Sequence, residues 1–300
     1  REYKVIRGLA IVPVGGVIAK YSRMVNGSSQ PRGTSVETLR RQIEGALADS
    51  DVTSIFLQVE SPGGNIAGLA DLADLIFEGR RSKPVTAYAD DMAASAAYWL
   101  GAQADQFLAS QSAEVGSIGV YSIYVDTSRA LENKGVRVIP VASGAHKTTG
   151  YPGTQISEAQ LEPIRTVIDQ HYEMFVRAVL RGRAPHGMTE DRLREVADGR
   201  MFVAAEAQRV GLVDGVMNLR KAMKSARALA KRVSLQRSGG ENDGVMTMDE
   251  NTKTAAATVP TPETPDPVAT AKVEKADVQV QMDNAVAAER ARIGAIDEAL

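Results

Sequence analysis

The chain has 300 residues, 44% hydrophobic and 24% charged, with a formal net charge of −2 and no cysteine. Such length and apolar content describe a globular chain of one or two domains, and the near-neutral balance gives no electrostatic reason to propose nucleic acid as a partner. Without cysteine there is no disulfide framework, thiolate nucleophile or thiolate metal site, and no apolar run approaches the ~20 residues of a membrane helix.

The chain opens at Arg1 without a methionine and stops at Leu300 in what reads as mid-helix, so both ends are expected to be trimmed, with an upstream signal or anchor left open. GLAIVPVGGVI (8–18) and SIFLQVE (54–60) have the aliphatic and β-branched content of buried strands. Between them Thr34 and Glu37 form a capping box, and Val36, Leu39, Ile43 and Leu47 follow at helical spacing. PVTAYAD (84–90), QFLAS (106–110), IGVYSIYV (118–125) and VRVIPVA (136–142) continue the strands, with helices over roughly 65–80, 94–104 and 127–134. A long helix from about Ser157 to Arg183 and a shorter one from Thr189 come next. Helix and strand in alternation predict an α/β fold with a largely parallel sheet covered by helices.

RKAMKSARALAKR (220–232) reads as a solvated helical face closing the domain, which is placed at residues 1–233. Near Ser234 the character changes. SGGENDGV is loop-like, and TVPTPETPDPVAT carries prolines at 260, 262, 265 and 267, so 234–275 is expected to be a disordered Pro/Thr-rich linker. In 276–300, Met282, Val286, Ile293, Ile296 and Leu300 fall on a 3–4 pattern that predicts the start of a short amphipathic helix.

DDMAASAAYWLGA (90–102) sets one hydroxyl, Ser95, among alanines at the head of a helix, where the lack of bulk would leave it accessible. A serine needs a base to attack a carbonyl. His171 and His186 have no acidic residue at a suggestive spacing, and nothing pairs His146 with Ser95, although a Ser-His-Asp triad is defined by geometry rather than spacing. Lysine is the other option. Its ordinary pKa near 10.4 makes it useless as a base at neutral pH unless burial disfavours the ammonium. Lys147, among Gly144, Ala145, Gly150 and Gly153, sits where the chain can bend and pack closely. VESPGGN (59–65) closes a strand and opens a helix, so Gly63 and Gly64 can present bare N–H groups to an oxyanion.

Together VESPGGN, DDMAASAAYWLGAQADQFLA, EVGSIGVYSIYVD, ASGAHKTTGYPG and ADGRMFVAAEAQRVGLVDGV (197–216) resemble, in order and over roughly residues 5–220, the SppA-type (signal peptide peptidase A) Ser/Lys peptidases. The resemblance implies the ClpP/crotonase fold, a spiral of repeated β-β-α units. It implies Ser95 as nucleophile, Lys147 as general base, and Ser117 of GSIGV as the hydroxyl that holds the lysine. N–H groups of Gly63, Gly64 and Ala96 would form the oxyanion hole. No metal or organic cofactor is implied. The substrate would be polypeptide with apolar character near the cleaved bond, and the assembly a homo-oligomer whose neighbouring subunits build the cleft.

A single peptidase unit followed by a linker and a helical start resembles, in layout, the head proteases of lambda C type. That implies a capsid-maturation role in the host cytoplasm and prohead, with scaffold, capsid and portal proteins as partners and the protease's own tail as a further target. A scaffold protein starting internally near Met246 or Met248 is part of this expectation. The alternatives are a signal peptide peptidase at the periplasmic face of the bacterial inner membrane, a catalytically inactive assembly or scaffold protein, and a crotonase-type acyl-CoA enzyme. The last two would leave the Ser95 and Lys147 pair unexplained.

Overall fold

The computed structural model describes residues 2–21 and 33–239. The expected linker beyond Gly239, the helical segment 276–300 and the methionines at 246 and 248 lie outside the described residues. The chain forms a mixed α/β fold built on a parallel-rich sheet. Strand β1 (Lys4–Ile6) pairs antiparallel with β2 (Leu9–Gly15), and β2 is followed in parallel by β5 (Ser54–Ser61), β6 (Val85–Ala94), β7 (Gln106–Ala109) and β10 (Gly215–Val216). β6 forks. Its first half pairs with β7, while Met92–Ala94 turns away to pair with β8 (Glu114–Gly116), which carries antiparallel β9 (Met201–Val203). A separate parallel pair, β3 (Val17–Ala19) and β4 (Gly33–Ser35), stands beside the end of β5 through the bridge Ile18–Gly64.

Strand periodicity explains the two covered faces. On β5, Ile55, Leu57 and Val59 enter a large core with α1 (Val36–Ala48), α2 (Leu69–Gly79), α3 (Ala96–Gly101) and α5 (Glu158–Arg183). Phe56 points the other way and packs with Leu9, Tyr88 and Leu108 under Ala222 and Ala226 of α8 (Leu219–Gly239). Helix α8 thus closes the second face as its basic, half-apolar sequence predicts, and it runs beyond residue 233. Helix α5 matches the expected span, and α6 (Glu190–Val196) follows Thr189, whose hydroxyl accepts the Arg192 N–H. The short helix α7 (Ala204–Arg209) packs between β9 and β10.

The end of α5 is tied to β10 by a buried pair. Arg183, 1% exposed, donates to both Asp214 oxygens at 2.6 and 3.0 Å and to the Gly211 carbonyl. His186 Nδ1 lies 2.9 Å from Asp214 Oδ1. Burial would raise the Asp214 pKa, but hydrogen bonds from His186, Arg183 and the Phe107 N–H outweigh it and hold the carboxyl well below the usual range.

Two expectations are corrected. The cap of α1 is Ser35, whose Oγ accepts the Thr38 N–H, so the Thr34–Glu37 box does not form. Thr34 lies in β4, where its hydroxyl donates to the Gly15 carbonyl and accepts the Gly15 N–H, both at 2.8 Å. The segments 118–125 and 136–142 are not strands. A strand needs a neighbouring backbone to take its N–H and C=O groups in a ladder, and among the described residues no strand pairs with either segment. Both belong to a stretch that includes α4 (Ser128–Asn133) and carries apolar side chains into solvent, with Tyr121 82%, Ile123 75% and Val141 93% exposed.

Candidate active site

Strand β6 delivers Ser95, and α3 begins at the next residue. Ser95 has φ 52° and ψ −122°, a backbone conformation that L-residues rarely adopt. Its N–H donates to the Gly116 carbonyl (2.8 Å) and its carbonyl accepts from Trp99, so the turn is held from both sides. Ala93, Ala94, Ala96 and Ala97 around it are all buried, and the SPGG turn approaches Ser95 closely because Gly63 carries no side chain. A Cβ on Gly63 would lie 2.7 Å from Ser95 Cβ and 2.9 Å from the Ala96 nitrogen.

Ser95 opens onto a cleft of about 940 Å³ that Gly64, Ala96 and Ser117 also line. Ser117 is the second strained serine, at φ 51°, with its N–H on the Arg200 carbonyl at 2.8 Å. The apolar wall includes Val17, Ile66, Leu69 and Trp99, whose ring stacks on Phe175 at 4.7 Å. Among the described residues no protein partner takes the N–H of Gly64 or Ala96, and both belong to the cleft. The arrangement sets a hydroxyl in one cleft with two backbone amides that have no protein partner among the described residues, the kinds of group that acyl transfer through a tetrahedral oxyanion uses.

One expected donor is corrected. The Gly63 N–H is turned to Ser61 Oγ (3.1 Å) because that buried hydroxyl sits inside the same turn, so Gly63 supports the site rather than donating to it. Lys147 does not line the cleft. It is exposed, in a turn closed by its own N–H on the Gly144 carbonyl (3.2 Å). The structure therefore brings Ser95, Ser117, Gly64 and Ala96 together within one copy, and leaves Lys147 outside that group. None of His146, His171 and His186 lines the cleft either.

Two cleft features escaped the sequence reading. Asp198 and Gly199 form part of the rim, with Asp198 held below the usual carboxylate range by hydrogen bonds from Arg200. Ser61 lies beneath the cleft lining rather than in it, and nothing local in VESPGGN (59–65) marks a serine in a strand as a bridge between two turns.

Residues 78–233 match the model of peptidase family S49, and this range contains Ser95, Ser117 and Lys147. The chain is 32% identical over 298 residues to capsid assembly protease C of Escherichia phage lambda, covering 98% of this chain and 66% of that protein. It is 33% identical over 180 residues to the head-tail preconnector protein GP5 of Enterobacteria phage P21, with 60% and 35% covered. To Protease 4 of Haemophilus influenzae it is 26% identical over 240 residues, with 77% and 36% covered. The chain thus spans about two thirds of the first relative's length and little more than a third of the other two. The chain belongs to peptidase family S49.

Proposed function

We propose that the chain is a serine endopeptidase of Ser/Lys type. The observation that carries this reading is Ser95, held in a strained backbone at the head of α3, in one cleft with the Gly64 and Ala96 amides and Ser117. Neutral Lys147 Nζ takes the Ser95 Oγ proton as the oxygen attacks the peptide carbonyl carbon. The oxyanion is held by the amides of Gly64 and Ala96, and Ser117 hydrogen-bonds Lys147. The lysine then gives its proton to the departing amine. In the second half of the cycle water loses a proton to Lys147, attacks the acyl-enzyme, and Ser95 leaves with that proton restored.

Lys147 reaches the cleft from a neighbouring copy in this reading. Its exposure, and the solvent-facing apolar side chains of the stretch that carries it, support that assignment. Burial of its ammonium at such an interface is also what would make it a base. The forked β6, with β8 and β9 set off the main sheet, supports a ClpP/crotonase-type spiral of β-β-α units.

The resemblance to two phage proteins named for capsid assembly and head-tail connection supports a capsid-maturation role. Its substrates would be scaffold protein and the protease's own tail, in the host cytoplasm and prohead.

The test mixes two inactive variants. Ser95→Ala and Lys147→Ala are each expected to lose proteolysis, and co-assembled one to one they recover about a quarter of wild-type activity, the share of sites receiving both intact residues by chance. Full activity in either variant alone overturns the dyad. No recovery on mixing, with assembly demonstrated, overturns supply by a neighbour.

A further inference from the structure

The geometry points to Ser61 as a positioning residue for the oxyanion-binding turn, an inference that rests on the Ser/Lys reading above. Ser61 is the last residue of β5, where the register with β6 shifts between Val59 and Ser61. Its side chain is fully buried. The hydroxyl makes two bonds of opposite sense. It donates to the Gly16 carbonyl at 2.6 Å and accepts the Gly63 N–H at 3.1 Å. One oxygen therefore ties together two chain turns, one at the end of β2 and the other the SPGG turn against which Ser95 packs.

Gly63 has no slack. Any atom at its Cβ position would touch the Ala94 carbonyl oxygen, Ser95 Cβ and the Ala96 nitrogen within 3 Å. Its own carbonyl accepts the Ile18 N–H at 2.8 Å, and the Asn65 N–H is held by the Ile18 carbonyl at 2.8 Å. The peptide joining Gly63 to Gly64 is therefore fixed on its carbonyl side by β3. The Gly63 N–H belongs to the preceding Pro62–Gly63 peptide and is held by Ser61. The hydroxyl thus fixes the other side of the Gly63 Cα about which the Gly63–Gly64 peptide turns. The direction of the Gly64 N–H, which lines the cleft, follows from the orientation of that same peptide. Losing the hydroxyl leaves the buried Gly63 N–H unpaired and releases the Gly16 carbonyl, and the turn rotates to satisfy the N–H. A small misplacement of an oxyanion donor is felt in the transition state, where charge has developed, and hardly at all in substrate binding.

The test uses the full chain and a fluorogenic peptide amide with an apolar residue before the cleaved bond. Ser61→Ala is expected to lower kcat about tenfold to a hundredfold with KM little changed. It should weaken a peptide aldehyde, which forms an oxyanion on Ser95, by the same factor, and leave the affinity of the cleaved peptide product unaltered. Ser61→Thr, which restores the hydroxyl, should recover most of the lost kcat. If Ser61→Ala does not fold, Ser61→Cys, close in size but a poor donor, takes its place with the same expectation.

Wild-type kcat in the hydroxyl-less variant, or equal weakening of aldehyde and product, overturns the role. Ser95→Ala is run alongside. If it stays active the Ser/Lys reading itself has failed, whereas a dead Ser95→Ala beside a fully active Ser61→Ala removes the Ser61 proposal alone.

Discussion

Replacing Gly63 by alanine tests how closely the SPGG turn and Ser95, the proposed nucleophile, are fitted. Gly63 has φ +96°, where a side chain is strained whatever the space, and its new Cβ would lie 2.7 Å from the Ala94 oxygen and from Ser95 Cβ. The strain alone costs about 1–3 kcal/mol, and each kcal/mol lowers Tm by about 2–4 °C in a domain of this size. The contacts add a second effect, because the atoms in the way are backbone and Ser95 Cβ, which must move by several tenths of an ångström. In the proposed mechanism, displacing the Ala96 amide is comparable to losing one oxyanion donor, about a 10²–10³-fold fall in kcat.

Gly187→Ala is the control. Its φ is +83° but nothing lies within 4 Å of the added Cβ, so it should lose stability by a similar strain and keep its kcat. Measuring Tm by calorimetry and kcat on a peptide amide separates the two effects. A Gly63→Ala protein that keeps kcat within about threefold of wild type, a difference under 1 kcal/mol in barrier, would refute the close packing of this turn on Ser95.

Ser95→Gly should be more thermostable than Ser95→Ala, since glycine removes the strain at φ 52° while losing only about 0.5–1 kcal/mol in chain entropy; equal Tm values in the two inactive variants would show the turn is unstrained. Asp214→Asn should cost about 3–5 kcal/mol by leaving Arg183 buried without its counter-ion, read by urea unfolding. The same carboxyl governs an acid limb. Its folded pKa is depressed, so its contribution is fully present above the unfolded value of about 3.9 and is lost as pH falls through the folded one. The wild type should therefore lose stability below about pH 4 more steeply than Asp214→Asn does. Val141→Glu, at a side chain 93% exposed, should leave Tm of the isolated subunit unchanged and lower self-association in sedimentation; unchanged assembly would remove this stretch from the subunit contact.

Most of the fold was legible because its elements carry their own periodicity. Ile55, Leu57 and Val59 alternate with Phe56 and Gln58 along β5, and the helix over 158–183 has both its start and its apolar stripe in the sequence. What was not legible depended on partners distant in sequence. Thr34 and Ser35 are equally good caps on paper, and the choice fell to Ser35 because the Gly15 backbone claims the Thr34 hydroxyl across the neighbouring strand. IGVYSIYV and VRVIPVA have strand composition, but composition says nothing about whether a backbone lies alongside to complete a ladder. At the cleft, the alanines around Ser95 and the glycine doublet at Gly64 pointed to two residues that the fold brings into one lining. The turning of the Gly63 N–H toward Ser61 needed coordinates.

The strain at the cleft is the strongest argument that this turn is shaped by something other than stability. Only three non-glycine residues among those described have positive φ, and two of them, Ser95 and Ser117, line one cleft. They are coupled through backbone, since the Ser95 N–H bonds the carbonyl of Gly116, the residue before Ser117, and the Ser117 N–H bonds Arg200. Each such conformation costs about 1–3 kcal/mol, a sizeable part of a typical domain's stability, and glycine at either position would relieve most of it. A hydroxyl kept at both places in spite of that cost is expected where the oxygen itself is needed. Gly63 fits the same logic, because any side chain there would meet the Ala94 carbonyl oxygen and Ser95 Cβ and push the SPGG turn away from Ser95. Strain at Ser95 and Ser117 and a bare glycine packed on Ser95 thus bear on the same cleft, and a purely structural turn would need neither.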